Sequence, residues 1–424
     1  MERLLLFSIL AASAAAGGQD MTRHLLNGTN CLDGSEAGFY YSSATTRPDV
    51  AVIFLQGGGA CTSYEGCVAW GANGMGSSDG WAATKASPTT VITDNCSSNP
   101  DFCGAHMIYV PYCTGDVHSG TRDTGAYEDG AEMFFSGHRN FAKIVDTVIG
   151  DLLGSGRHDA SPLTSVLLTG WSAGGYGTFV NADWLAKRLS AEPALNVTTV
   201  KGAPVAGYFF PGVPPAETGS APCPELVSDF SHESAGTSGN SACTSDTNAL
   251  WRSLNISARC LADFGEEEGW KCDTANVAVQ YIETPLHWGQ NQYDSNQIFV
   301  QLGAPQDGSA AEEQYVAYYG GAALESMLRL LPDKDGAFVP SCLDHTNLVD
   351  ILEVEYLSAM GDWFWGRSSA RAAGRTPSDP NAATTLALPA VLYDNCTSDD
   401  GLPCNPNCAN SRYTSSSAED GIWL

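Results

Sequence analysis

The sequence predicts an α/β protein built on a mostly parallel sheet with helices covering both faces. Three observations predict it. Short apolar runs without in–out alternation recur along the chain, as strands buried on both faces require. Segments with helical spacing separate those runs. No repeat and no linker divides the chain, so one α/β unit with insertions accounts for the 424 residues.

The elements follow in order. Asp49–Gln56 is a continuous apolar strand run that ends in Gly57, Gly58 and Gly59. His106–Tyr112 is a second strand, followed by a turn-rich loop. Asn140–Leu153 repeats Phe141, Ile144, Val145, Val148, Ile149 and Leu152 at helical spacing, which marks a core-facing helix. Ser165–Thr169 is a short buried strand, and Ala173–Leu189 a helix after it. Val197–Lys201, Val277–Ile282 and Ala337–Pro340 are further strands in this reading. Ala311–Leu331 and Asn347–Met360 are helices. Pro211–Asp246 is rich in Pro, Gly, Ser and Thr and holds Cys223 and Cys243. It reads as the centre of a disulfide-stapled insertion spanning roughly residues 208–276, part of a lid or a plain surface loop.

Composition bounds the function. The formal net charge is −28, with hydrophobic residues at 43%. The apolar fraction can fill a large core and excludes a mostly disordered chain. The charge excludes broad nucleic-acid binding and makes adhesion to anionic lipid unfavourable. Met1–Arg3, the apolar run Leu4–Ala12 and Ala14-Ala15-Ala16 read as a secretory signal peptide over residues 1–16, leaving 17–424 as one domain. The apolar run is far shorter than the roughly 20 residues that span a bilayer, so no stable membrane anchor is expected. Secretion turns the 14 cysteines towards disulfides, up to seven, and away from metal sites. The spacings Cys61–Cys67, Cys96–Cys103 and Cys404–Cys408 lack the paired pattern of a zinc site. Sequons at Asn27, Asn95, Asn196, Asn255 and Asn395 agree with an extracellular or luminal protein.

Gly170-Trp171-Ser172-Ala173-Gly174 fits G-x-S-x-G. The pattern alone is weak, since Gly76-Ser77-Ser78-Asp79-Gly80 fits it too. Context separates them. Ser172 follows an apolar strand and opens a helix, the setting of a nucleophile elbow. Its base must follow in the chain, where His232, His287 and His345 are the choices. His345, between a strand and a helix, is favoured. The orienting acid stays open among Glu217, Glu225, Asp229, Asp246, Asp263, Glu266–Glu268, Asp273, Glu283 and Asp294. Oxyanion donors are expected from the N–H of Ala173 and from Gly57-Gly58-Gly59. A phosphate loop is excluded there, because no Gly-Lys-Ser/Thr follows. Asp116 and His118 could pair on a ligand, but a site-lining loop is the simpler reading.

Together these segments resemble the pectinacetylesterase family with its Notum-like members. The resemblance rests on Cys31-Leu32-Asp33-Gly34-Ser35, Phe54-Leu55-Gln56-Gly57-Gly58-Gly59-Ala60-Cys61, Pro111–Gly120 and Gly170–Gly175. It continues through Tyr293-Asp294-Ser295, Ser341-Cys342-Leu343-Asp344-His345 and Cys404-Asn405-Pro406-Asn407-Cys408. It implies an α/β-hydrolase-like carboxylic ester hydrolase without cofactor or metal. It carries the nucleophile onto Ser172, the acid onto Asp294, the base onto His345, and the oxyanion donors onto Gly58 or Gly59 and Ala173. The implied substrate is an acetylated polysaccharide, with esters of longer acyl chains or a non-catalytic glycan-binding relative as alternatives. Notum-like members carry Gly-Gly-Trp-Tyr-Cys where this chain has Gly57–Cys61, so the aromatics of a fatty-acyl pocket are missing there. Many members have Asp-x-Gly after the strand at Val197, where this chain has Ala203-Pro204-Val205-Ala206-Gly207. The charge also opposes an acidic polymer unless Arg122 or Arg139 offsets it locally.

Overall fold

The computed structural model describes residues 20–61, 63–87, 90–122, 132–153, 163–192, 195–210, 257–269, 272, 275–367, 384–385, 391–395 and 401–408. The expected signal peptide and most of the expected insertion, including Cys223, His232 and Cys243, lie outside them, as does the polar tail from 409.

The strands are β1 Met21–Leu25, β2 Gly38–Ser42, β3 Arg47–Leu55, β4 Thr84–Lys85, β5 Ala105–Val110, β6 Ser165–Trp171 and β7 Thr199–Val205. They continue as β8 His287–Gly289, β9 Tyr293–Asp294, β10 Gly336–Val339, β11 Leu343–Asp344, β12 Thr384–Thr385 and β13 Val391–Tyr393. The α-helices are α1 Tyr64–Trp70, α2 Gly137–Thr147, α3 Ala173–Ser190, α4 Ala258–Glu268, α5 Ala275–Ala278, α6 Ala310–Leu330 and α7 Tyr356–Trp365.

Among the described residues eleven strands form one sheet in the order β12-β13-β10-β8-β7-β6-β3-β5-β2-β1-β4. From β13 to β5 every neighbouring pair is parallel, and the outer pairs are antiparallel. The chain fills β5 on one side of β3, then crosses to β6 on the other, which makes β3/β6 the switch point where a crevice opens at the carboxyl ends.

Side-chain alternation sorts the core. Ala51, Ile53, Leu55, Ile108, Val110, Val166 and Leu168 face α2 and α3, meeting Phe141, Ile144, Val145 and Leu185. Val50, Val52, Phe54, Met107, Tyr109 and Leu167 face the other way and meet Met360, Trp363 and Phe364 of α7. Strands covered on both faces read as unbroken apolar runs, which is why β3, β5 and β6 stand out in the sequence. A third cluster packs α5 and α6 against β8 and β10 through Trp288, Tyr293, Tyr319 and Phe179.

Two expected elements are corrected. Val277–Ile282 is not a strand: α5 covers Ala275–Ala278, and turns follow it. A short, mostly apolar run fits either structure, and here the carbonyl of Ala275 accepts from the N–H of Val279. The strand that fills this place in the sheet is β8, whose His-Trp-Gly carries no apolar run. Asn347–Met360 is helical only from Tyr356 onward. Before it, Leu352 and Glu353 adopt positive φ and close a bridge between Ile351 and Val354, which a continuous helix forbids. The helix then runs past Met360 through Trp363-Phe364-Trp365 to a left-handed Gly366.

Five disulfides join described residues: Cys31–Cys113, Cys61–Cys67, Cys96–Cys103, Cys260–Cys272 and Cys342–Cys408. Three of them fasten loops at the carboxyl edge of the sheet, where the candidate site lies.

Candidate active site

Ser172 stands between β6 and α3 with φ 52° and ψ −118°, a sharp elbow that L residues rarely adopt. Neighbouring backbone enforces it. The Ser172 N–H donates to the Val205 carbonyl of β7 at 2.9 Å. A Cβ on Gly174 would lie 2.0 Å from the Leu55 carbonyl oxygen, so only glycine lets the start of α3 close on the end of β3. The elbow thereby sets the Ser172 hydroxyl beside the loop that leaves β3.

A two-stranded parallel pair outside the main sheet positions the other two groups. β9 pairs with β11 so that Asp294 stands opposite Asp344, one residue before His345. His345 Nδ1 lies 2.9 Å from both carboxylate oxygens of Asp294. His345 Nε2 lies 2.8 Å from Ser172 Oγ. Asp294 is fully buried, and its charge is met by further donors. Gln290 Nε2 donates to Oδ2 at 2.8 Å, and the Gln297 N–H donates to Oδ1 at 3.1 Å. A carboxylate only accepts, so the His345 Nδ1–H donates a hydrogen bond to Asp294. That tautomer leaves Nε2 as an acceptor for the serine hydroxyl.

Of the expected residues, Ser172, Asp294 and His345 are thus brought together. His287, the other described histidine weighed as a base, is instead fully buried in β8 against Trp363 and Tyr356. Burial holds its imidazole down to about 3. Glu283 and Asp263 belong to other surfaces: the Glu283 N–H donates to Asp183, and Asp263 accepts from the Tyr281 hydroxyl.

The segment after β3 packs alongside the elbow. Gly58 and Gly59 have φ of 154° and 72°. The Gly58 carbonyl accepts from Trp70 Nε1 at 2.9 Å, and Cys61–Cys67 ties the segment to α1. Ala173, as the first residue of α3, has no acceptor for its N–H within the helix. A Cβ on Gly57 would lie 2.6 Å from the Trp171 carbonyl oxygen and 3.2 Å from Ser172 Cβ, so this segment runs directly beside the elbow.

Supporting residues line up behind it: Gln56, which the sequence does not single out, and the expected loop residues Asp116 and His118. Gln56 Oε1 accepts from the Tyr112 N–H at 3.2 Å, and the Gln56 carbonyl lies 2.8 Å from His118 Nε2. Asp116 accepts from the Thr114 hydroxyl and from the Gly137 N–H. Burial pushes Asp116 up to about 6 despite those bonds, and holds His118 down to about 4. Asp116 and His118 thus serve the loop. Among the described residues no cluster of three or more His, Cys, Asp or Glu could hold a metal ion.

A cavity of about 420 Å3 opens beside the elbow, on the α7 side of the sheet. Thr169 and Trp171 form one wall, and Thr346 and Asn347, directly after His345, form another.

The profile described as Pectinacetylesterase matches residues 18–409. The human palmitoleoyl-protein carboxylesterase NOTUM is 26% identical over 423 residues, covering 96% of this chain and 76% of that protein. Pectin acetylesterase 5 of Arabidopsis thaliana is 25% identical over 415 residues, covering 91% of this chain and 83% of that protein. The structure of the Wnt deacylase Notum from Drosophila shares the fold, with a TM-score of 0.69 at 24% identity over 82% of this chain and 93% of that one.

Proposed function

The chain belongs to the pectinacetylesterase family and is a carboxylic ester hydrolase; from that premise we propose that it is a secreted serine esterase that removes O-acetyl groups from a polysaccharide. One observation carries the mechanism: the unbroken hydrogen-bond chain from Ser172 through His345 to Asp294.

Ser172 Oγ attacks the ester carbonyl carbon while its proton passes to His345 Nε2. The carbonyl oxygen becomes an oxyanion, which accepts from the N–H groups of Ala173 and of Gly58 or Gly59. Such donors act most strongly where water is excluded. Asp294 holds the imidazole in one tautomer and stabilises its charged form. Collapse breaks the bond from the acyl carbon to the alcohol oxygen. His345 gives its proton to that oxygen, and the alcohol leaves. Water then attacks the acyl-enzyme with His345 as base, releasing the acid and restoring Ser172.

Acetate as the acyl group is favoured by the segment Gly57–Cys61, where Gly59 and an exposed Ala60 present no aromatic wall. Secretion is favoured by the five disulfides, which form and persist in oxidising compartments. Among the described residues no helix is long and apolar enough to cross a membrane.

The test compares p-nitrophenyl acetate with p-nitrophenyl octanoate. The proposal expects kcat/KM for acetate to exceed that for octanoate at least tenfold. The reverse preference would replace deacetylation with removal of longer acyl groups, the chemistry named in the NOTUM relatives.

A further inference from the structure

Trp171 is one of the few large apolar side chains left exposed among the described residues, at 36%. It directly precedes Ser172, and its ring stands edge-on to Phe54 at 5.3 Å, so the indole is held in a fixed orientation. Alternation along β6 puts Leu167, Thr169 and Trp171 on the α7 side, where the 420 Å3 cavity lies. That volume falls in the range of about 300–1,000 Å3 found for small-molecule sites.

The place of the cavity assigns it to one half of the substrate. In acyl transfer the base returns its proton to the leaving oxygen, so the alcohol must leave on the side of His345. Thr346 and Asn347, the residues that follow His345, form the cavity wall. The alcohol part of the ester, not the acyl part, therefore faces this space.

The lining then selects the chemistry of that alcohol. An exposed indole offers a flat face for the C–H surface of a sugar ring. Asn347 and Thr346 offer hydrogen bonds for hydroxyl groups. Tyr356 adds a buried hydroxyl without a partner among the described residues, and a ligand hydroxyl reaching it would offset its burial. Asp350 and Glu355 also line the cavity, and among the described residues no Lys, Arg or His does. A uronate carboxylate would meet two like charges there without a counter-cation. A lipid chain would have to desolvate the same carboxylates.

We propose that this cavity is a leaving-group subsite for an uncharged sugar unit, with Trp171 as its stacking platform, so that the enzyme acts on neutral acetylated glycans in preference to polyuronates. The subsite rests on the esterase reading for its orientation but not for its ligand.

Binding is therefore tested apart from turnover. Calorimetric titration of the full chain with xylotetraose and with tetragalacturonate is expected to show at least tenfold tighter binding of the neutral sugar. Trp171→Ala should weaken xylotetraose at least tenfold, and Trp171→Phe should retain binding within about threefold. The pair Asp350→Lys and Glu355→Lys should shift the preference at least tenfold towards tetragalacturonate. Equal or tighter binding of tetragalacturonate by the unmodified chain would overturn the proposal. So would unchanged xylotetraose binding in a folded Trp171→Ala variant. A chain that binds xylotetraose as expected but leaves p-nitrophenyl acetate intact would keep the subsite and lose the esterase mechanism.

Discussion

At the scale of single residues, Ser172 holds a positive φ in a strained elbow, a conformation that costs on the order of 1–3 kcal/mol and persists only where the surroundings impose it. The packing of Gly174 and the Val205 carbonyl impose it here. Ser172→Ala keeps the backbone and removes the hydroxyl, so kcat should fall by about 10^4-fold or more. Asp294→Asn should cost about 10^3–10^4-fold, because the amide favours the wrong imidazole tautomer. Steady-state kinetics on p-nitrophenyl acetate checks both, and a loss under tenfold in either would contradict the assigned role. Gly59→Ala isolates backbone conformation, since a Cβ there meets nothing within 4 Å while φ is 72°. It should lower kcat by about 10^2-fold through displaced oxyanion donors, with only a small change in KM. The elbow was legible in the sequence, because strand, turn and helix signals surround Ser172. The acid was not. Asp294 sits amid a run of amides, and nothing local distinguishes it from eight other acidic positions or runs. Only the pairing of β9 with β11, two residues each, sets it opposite the residue before His345.

At the scale of elements, the loops that carry the site are fastened rather than free. Cys342 precedes His345 by three residues and is bonded to Cys408, 66 residues away. Ser341 N–H donates to Asp394, and Asn405 donates to the same carboxylate, so the end of strand β13 and the 401–408 segment brace the loop that carries His345. A loop closure of that length stabilises the folded chain by about 4 kcal/mol in the chain-entropy view. Cys342→Ser with Cys408→Ser should therefore lower the melting temperature by several degrees. It should also lower kcat more than it raises KM, because the His345 contact to Ser172 loosens. Calorimetry and kinetics on the double variant test this; an unchanged kcat would show that the disulfide does not position the base. The long buried strands β3, β5 and β6 and the helices α2, α3 and α6 were readable from periodicity. The antiparallel β1 and β2, the three-residue β8 and the true start of α7 were not. Their existence depends on neighbours distant in sequence, and the Leu352–Glu353 turn breaks a pattern that apolar spacing alone would continue.

At the scale of the whole molecule, buried titratable groups set an acid limit on the fold. His287 and His118 are held at about 3 and 4, below the ordinary 6.5. Between those values and 6.5 the unfolded chain binds protons that the folded chain refuses, so stability is present at neutral pH and is lost as pH falls through the window. Asp116, raised to about 6 from 3.8, acts with the opposite sign between those values, because there the folded chain holds the extra proton. Burial also raises Asp335 and Asp394, which act with Asp116, and lowers His138 and His24, which act with the two histidines; the largest shift is that of His287, and the melting temperature should fall from pH 6.5 to pH 4. His287 alone contributes on the order of 4 kcal/mol to that loss by pH 3. His287→Phe keeps an aromatic ring against Trp363 and Tyr356, and should flatten the profile; an equally steep profile would show that His287 does not control it. The central claim is that this sheet, its bracing loops and its switch-point crevice exist to activate one serine. Its most direct measurement is the intact mass of the chain after reaction with diisopropyl fluorophosphate, followed by mapping of the modified peptide. The account predicts a single stoichiometric adduct on Ser172, lost in His345→Ala, with activity falling in step with labelling. Full esterase activity in an unlabelled chain, or an adduct on another residue that tracks the loss, would contradict it.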